Sequence, residues 1–233
     1  MNVRSATAPE ANLSDGSWRK LAWWSVFIGS LIALNYAVNL TSSATQRASQ
    51  DVLYKYSTAV GDAVFYLIWL GIILWIAGRQ RELFALRRPN SWPRALGLAA
   101  LALAGSYLAI RLMDPLLHAG REQGLVPTHW EPKHAGAFAA NWVVVGGIAP
   151  VVEEMTFRGL GYSLIAARWG PPAAIVAVGL LFAGAHGLLQ AFPELATLGF
   201  ALAWLRARTD SIYLGILAHA IFNSLALVAV MLG

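Results

Sequence analysis

The chain has 233 residues, of which 58% are hydrophobic and only 12% are charged, whereas an ordinary soluble domain carries about 25% charged residues. This composition excludes a typical soluble protein and indicates a protein of the lipid bilayer. The net charge of +5 does not indicate nucleic-acid binding, because the basic residues lie between apolar runs. Cysteine is absent, which excludes disulfides, thiolate metal sites and a cysteine nucleophile.

Apolar runs divide the chain into predicted membrane spans, each long enough to cross about 30 Å of hydrocarbon with roughly 20 helical residues. A polar tail, residues 1–17, comes first. The runs are 21–40, 57–77, 94–113, 141–165, 173–191 and 211–231, and a shorter run at 193–205 predicts a seventh helix. We therefore predict an all-α, polytopic membrane helical bundle of about seven (six to eight) transmembrane helices. It forms a single domain, residues 18–233, with its motif-bearing core at 136–231.

The basic residues between these runs predict the orientation of the chain. If the N-terminus is inside, the inner segments hold eleven lysines and arginines and the outer segments hold four. Positive residues concentrate on the cytoplasmic side of membrane proteins. The sequence thus predicts a cytoplasmic N-terminus, and the compact size suggests a bacterial inner-membrane protein.

The fourth run contains three charges in the stretch "PVVEEMTFRG", which spans residues 150–159. An isolated carboxylate near the bilayer centre costs about 2.5 to 3.5 kcal/mol on insertion scales. Glu154 and Arg158 are four apart, so on a helix they can form an ion pair. Glu153 lies about 100° around the helix and has no partner in its own segment. Polar groups that only lock the bundle together are the alternative explanation.

Five histidines fall into two groups. His118, His129 and His134 lie in or beside an outer loop, where Pro132 argues against one helix presenting a metal motif. His186 and His219 lie in apolar spans. The turn "RWGPP" falls midway between residues 153 and 186, so two antiparallel helices bring Glu153 and His186 to the same depth.

The last span adds a second polar pair near its centre. His219 and Asn223 are four apart, on one face of a helix. We predict that Glu153, His186, His219 and Asn223 meet near mid-membrane. Four other polar residues in or near the spans are expected to make interhelical hydrogen bonds: Asn35, Asn39, Asn141 and Gln190.

Three separated motifs resemble those of the CPBP family, the CAAX proteases and bacteriocin-processing membrane enzymes that include the type II CAAX prenyl endopeptidases. The pattern E-E-x-x-x-R corresponds to Glu153, Glu154 and Arg158; F-x-x-x-H to Phe182 and His186; and H-x-x-x-N/D to His219 and Asn223. The resemblance implies that Glu153 and His186 activate a water molecule. It also implies that His219 and Asn223 stabilise the oxyanion, while Glu154, Arg158 and Phe182 support the site.

The function that we predict is an intramembrane endopeptidase with a glutamate-activated water and no cofactor. Its partners are the lipid bilayer and a peptide or membrane-protein substrate, which the family resemblance allows to be lipidated. A glutamate in an apolar site is suited to general-base work near neutral pH.

Three alternatives stay open. Glu153, His186 and His219 could instead bind Zn²⁺ as a His2Glu site, although no general base then remains, because Glu154 is expected to pair with Arg158. A transporter or proton relay also places ionisable groups inside helices, and a non-catalytic immunity or scaffold protein is the third alternative. Other intramembrane proteases are poorly matched, because no G-x-S-G motif is present and Asp62 lacks both the G-x-G-D context and a partnering Y-D. Asp62 is instead expected to face a polar seam or an interface.

Overall fold

The computed structural model describes residues 15–41, 52–117 and 130–232. Within these ranges the chain forms seven helices joined by turns and no strands, which confirms the predicted all-α helical bundle. The helices are α1 (Asp15–Thr41), α2 (Tyr56–Ala77), α3 (Trp92–Leu117), α4 (135–169), α5 (171–185), α6 (Phe192–Thr209) and α7 (Tyr213–Leu232).

Four helical segments in the described ranges are long and apolar enough to cross a membrane: Ser17–Thr41, Tyr56–Ala77, Trp92–Leu117 and Pro132–Ala185. The last of these contains both α4 and α5, and Tyr213–Ala229 is a shorter apolar helix. Helix α1 begins at Asp15, so the last three residues of the predicted tail, 15–17, are helical. Residues 1–14 lie outside the described ranges.

Helix α4 carries the three charges of the fourth run and alternates between two helical forms. It is α-helical over Ala135–Val143 and Ala149–Glu154, and π-helical over Val144–Ile148 and Met155–Gly161. Pro150 contributes to the first π-helical stretch because it has no backbone N–H to donate to the preceding turn. Such π-helical turns occur often at functional sites.

The chain reverses at Gly170, as the "RWGPP" turn predicts. Gly170 has φ 80° and ψ 167°, a conformation that glycine adopts without strain. Pro171 and Pro172 then begin α5, where a missing N–H is tolerated. The rings of Phe157 and Phe182, at nearly equal sequence distances before and after Gly170, lie 5.4 Å apart, so α4 and α5 form an antiparallel hairpin.

The predicted span 173–191 is too long, because α5 ends at Ala185. Gly187 has φ 68° and packs directly on the backbone of Asn35, which turns the chain out of the helix. His186 is therefore the residue that follows the helix rather than a residue within a span. The carbonyls freed at this helix end are satisfied from α1: Asn35 Nδ2 donates to Ala185 O at 2.6 Å, and Asn39 Nδ2 to Gly187 O at 2.8 Å.

These contacts confirm the interhelical hydrogen bonds predicted for Asn35 and Asn39. Asn141 also behaves as predicted, because its Nδ2 donates to the carbonyls of Leu53 and Lys55 at 2.9 and 3.0 Å. An unsatisfied backbone carbonyl inside a bilayer costs several kcal/mol. The three asparagines thus allow irregular backbone to lie against the bundle.

The basic segments gather at one end of the bundle. Lys20 at the start of α1 donates to Gln80 just after α2. Arg87 forms an ion pair at 2.7 Å with Asp210, the residue that follows α6. Arg168, near the end of α4, lies over the ring of Trp18. This grouping agrees with the segments that were assigned to one side, while the cytoplasmic location of that side stays a prediction.

The main core lies where α1, α2, α4, α5 and α6 meet. Its largest fully buried side chains include Trp24, Phe157, Phe182, Ile73 and Leu198. Helices α5 and α6 approach closely at a pair of glycines, because a Cβ on Gly199 would lie 2.7 Å from Gly179 O. Small residues at such crossings allow tight packing in lipid, and this contact places the Gly199 carbonyl near the charged residues of α4.

Candidate active site

Glu154 and Arg158 form the predicted ion pair, and the pair is fully buried. Arg158 Nη1 donates to Glu154 Oε1 at 2.8 Å, and neither side chain has any exposed surface. Arg158 Nη2 donates to Gly199 O on α6 at 3.1 Å, and the guanidinium lies 4.3 Å from the centre of the Phe182 ring. Because the charges neutralise each other within one helix, α4 can carry them through the core.

His219 of α7 lies between the two glutamates. Its Nδ1 is 3.1 Å from Glu154 Oε1, and its Nε2 is 3.8 Å from Glu153 Oε2. An ionised carboxylate only accepts hydrogen bonds, so Nδ1 carries a hydrogen and donates to Glu154. Besides pairing with Arg158, the Glu154 carboxylate therefore orients the imidazole, with Nε2 toward Glu153.

Helix α7 lies against Glu154 at a glycine. The second carboxylate oxygen, Glu154 Oε2, is buried and has no hydrogen-bond partner among the residues that the structure describes. A Cβ on Gly215 would lie 2.7 Å from it. Only a glycine at this position lets α7 come close enough for His219 to reach Glu154. Gly215 belongs to none of the motifs, so its contact with Glu154 is not predicted from the sequence.

Glu153 is buried, with 7% of its surface exposed, and it has a partner outside the three motifs. Tyr66 of α2 donates its hydroxyl hydrogen to Glu153 Oε1 at 2.7 Å. The Tyr66 ring stacks on Trp69, whose Nε1 donates to Thr156 Oγ1 at 2.8 Å. Helix α2 thus holds one oxygen of Glu153, while the other oxygen faces His219.

Asp62 lies one turn before Tyr66 on α2 and is half-buried. This position agrees with the polar seam expected for it. A tyrosine and an aspartate four residues apart in an apolar span place two polar groups on one helix face, and this spacing is the signal that could have pointed to Tyr66.

Phe182 brings the two histidines of the motifs to one ring. Its centre lies 4.7 Å from the His186 ring and 5.6 Å from the His219 ring, in edge-on contacts. His186 Nδ1 lies 2.8 Å from Phe182 O, and because a carbonyl only accepts, Nδ1 donates and Nε2 of the neutral ring is an acceptor. His186 has no carboxylate within 4.0 Å among the residues that the structure describes, so it does not contact Glu153 directly.

Asn223 lies one turn after His219 and bonds to the backbone of α4. Its Nδ2 donates to Val145 O at 2.9 Å. In this π-helical stretch Ala149 N–H donates to Val144 O, so the corresponding donor for Val145 O would be residue 150, which is a proline. Asn223 replaces that missing donor. One amide hydrogen remains available to a substrate.

The structure therefore brings Glu153, Glu154, Arg158 and His219 into one connected cluster and places Phe182 and His186 beside it. Asn223 is anchored to Val145 O, on the part of α4 that precedes Glu153. No group of three or more His, Cys, Asp or Glu side chains is arranged to hold a metal ion within residues 15–41, 52–117 and 130–232. Of the donors named for zinc, Glu153 Oε2 and His219 Nε2 lie 3.8 Å apart, while His186 forms no ion pair with a carboxylate among the described residues.

Of the three outer histidines, the structure describes His134. His134 Nδ1 lies 2.8 Å from Glu131 Oε2 and its ring packs near Tyr54, so it has a local partner. His118 and His129 lie outside the described residues, as does any metal motif that would include them.

The helical bundle buries a carboxylate, an ion pair and a histidine between its helices, and such ionisable groups inside a membrane protein mark a functional site. Residues 135–225 match the protein family described as type II CAAX prenyl endopeptidase Rce1-like. This segment contains all three motifs and is similar to that family of CAAX proteases. The long apolar helices indicate that the chain is an integral membrane protein. No curated protein and no solved structure matches the chain.

Proposed function

We propose that the protein hydrolyses a peptide bond of a membrane-associated or lipidated substrate, with Glu153 as the general base that activates a water molecule. The observation that carries this proposal is the position of Glu153: one oxygen is held by Tyr66 and the other lies 3.8 Å from His219 Nε2. A water molecule between Glu153 Oε2 and His219 Nε2 can contact both atoms at once. The match of residues 135–225 to a CAAX protease family supports peptide hydrolysis as the reaction.

Each side chain of the cluster has a role in the proposed reaction. Glu153 Oε2 takes a proton from the water molecule while the water oxygen attacks the carbonyl carbon of the substrate. Glu153 later delivers that proton to the leaving amine. His219 supplies a donor from Nε2 to the developing oxyanion when its ring is doubly protonated, because Nδ1 already donates to Glu154. The free Nε2 of His186 accepts a hydrogen from the attacking water, and Phe182 holds both rings in place.

Asn223 acts in this proposal through its second amide hydrogen. The first hydrogen bonds Val145 O, which fixes the side chain, and a preorganised donor is worth about 2.7 to 4 kcal/mol to an oxyanion in a dry site. Glu154 and Arg158 are positioning residues, since they contact His219 and the backbone rather than the substrate. No step needs a metal ion.

The experiment that tests the proposal compares membranes that contain wild-type protein, Glu153→Gln and Glu82→Gln by mass spectrometry of peptide termini. Glu82 is exposed in a short turn, so it is a matched control for the loss of one carboxylate. We expect new termini with the wild type and with Glu82→Gln, and none with Glu153→Gln. Identical termini in all three samples contradict the proposal, and solute flux in proteoliposomes without any cleavage supports the transporter alternative.

A further inference from the structure

A cavity outside the candidate active site opens at the end of the bundle where the basic segments meet. Its volume is about 280 Å³, and it is lined by Arg19, Lys20, Trp23, Trp75 and Ile76. Helix α1 contributes two adjacent cations and an indole, and the end of α2 contributes the rest. The three motifs include none of these residues.

The cavity carries a positive charge that the protein only partly balances. Arg19 is exposed, and it has no ion pair or hydrogen bond in the part of the chain that the structure describes. The Lys20 ammonium donates one hydrogen to Gln80 and has two more to give. The Glu82 carboxylate acts electrostatically on Lys20, so among the described residues one of the two positive charges has no balancing carboxylate. An anion is the ligand that this cavity favours.

The apolar wall of the same cavity indicates what kind of anion it is. Trp23 and Trp75 are 51% and 65% exposed, and their rings meet edge to face at 5.6 Å. Exposed indoles at the end of a membrane span lie at the level of the lipid headgroups. The volume is slightly below the range of about 300 to 1,000 Å³ typical of small-molecule sites, which suits a headgroup whose acyl chains stay in the bilayer.

We infer that this cavity binds the phosphodiester headgroup of an anionic phospholipid. Arg19 and Lys20 donate to the phosphate oxygens, and Trp23 and Trp75 pack against the glycerol and the first acyl carbons. Basic pockets between transmembrane helices bind anionic headgroups in this way. The inference is independent of the proposed protease activity.

The test is native mass spectrometry of the full-length protein in detergent, titrated with phosphatidylglycerol and, separately, with phosphatidylcholine. We expect one phosphatidylglycerol molecule to bind more tightly than the rest. Each basic group near an anionic lipid is worth about a fivefold change in affinity. The affinity of this site should fall about 25-fold in the double variant Arg19→Gln, Lys20→Gln and about fivefold in Arg19→Gln alone, which leaves the contact between Lys20 and Gln80 intact.

The control is the double variant Arg81→Gln, Arg88→Gln, which removes two exposed arginines from the loop between α2 and α3. We expect it to bind phosphatidylglycerol like the wild type. Equal losses in the two double variants overturn the inference, because they show diffuse attraction to the basic end. Equal affinity for phosphatidylcholine, or displacement of the lipid by an equimolar amount of free glycerol phosphate, also overturns it.

Discussion

The close approach of α7 to Glu154 predicts that an added methyl group at Gly215 lowers both stability and the rate of cleavage. In Gly215→Ala the new methyl group would lie 2.7 Å from Glu154 Oε2, well inside normal contact distance. The carboxylate cannot move away freely, because its other oxygen is held by both Arg158 and His219 at 2.8 and 3.1 Å. Either α7 shifts outward or the carboxylate turns, and both changes move His219 away from Glu153.

Overpacking a core by one methyl group costs about 1 to 3 kcal/mol. A displacement of about 1 Å at a catalytic group can reduce the rate about 100-fold. We therefore expect Gly215→Ala to lower the free energy of unfolding by about 1 to 3 kcal/mol and the rate of cleavage by about 100-fold. The assays are thermal unfolding of the detergent-solubilised protein and cleavage of a substrate identified from its new termini.

The matched control is Gly71→Ala in α2, where nothing lies within 4 Å of the added Cβ. An alanine favours a helix over glycine by about 0.5 to 1 kcal/mol, so this variant should be as stable as the wild type or slightly more stable, and fully active. If Gly215→Ala behaves like Gly71→Ala in both assays, Glu154 does not lie against α7 as described, and its role in orienting His219 is refuted.

Three further predictions concern the surroundings of the site. Tyr66→Phe removes a hydrogen bond to the Glu153 carboxylate worth about 1.5 kcal/mol, so kcat should fall about tenfold with KM unchanged. The control is Tyr107→Phe, because the Tyr107 hydroxyl bonds to the Phe222 carbonyl instead, and this variant should keep the wild-type rate. Equal rates in the two variants contradict the role of Tyr66. Pro150→Ala restores a backbone N–H, so a double-mutant cycle with Asn223→Ala should show a coupling of about 0.6 to 1.7 kcal/mol in unfolding free energy, whereas additive effects would show that the asparagine does not replace the missing donor. A strong chelator should leave the cleavage rate of the purified protein unchanged, and inactivation that added zinc reverses would favour the zinc alternative.

Much of the fold follows from local rules that a single sequence displays. The ion pair of Glu154 and Arg158 follows from their spacing of four residues, and the reversal at Gly170 follows from a glycine before two prolines. The end of α5 was missed because apolar residues continue beyond it, so hydropathy alone extends the span to 191. The glycine after His186 is the local signal for that helix end.

The rest depends on how the helices are rotated and which neighbours they have, and a single sequence does not contain this information. The spacing of Asp62 and Tyr66 marks a polar face of α2, but that this face meets Glu153 follows from the packing of α2 against α4. His219 reaches both glutamates because an imidazole has a nitrogen on each side, so the angle of about 100° between Glu153 and Glu154 does not separate them. The anchoring of Asn223 depends on the π-helical backbone that accompanies Pro150.

The most direct test of the central claim is the cleavage rate of purified, reconstituted Glu153→Gln against the wild type. Glutamine keeps the size of the side chain and still accepts the hydrogen bond from Tyr66, but it cannot take a proton from water. We predict that unfolding free energy is unchanged within about 1 kcal/mol while kcat falls by at least about 100-fold, the lower end of the range for loss of a general base. A variant that is equally stable and cleaves within a few-fold of the wild-type rate would show that Glu153 is not the base.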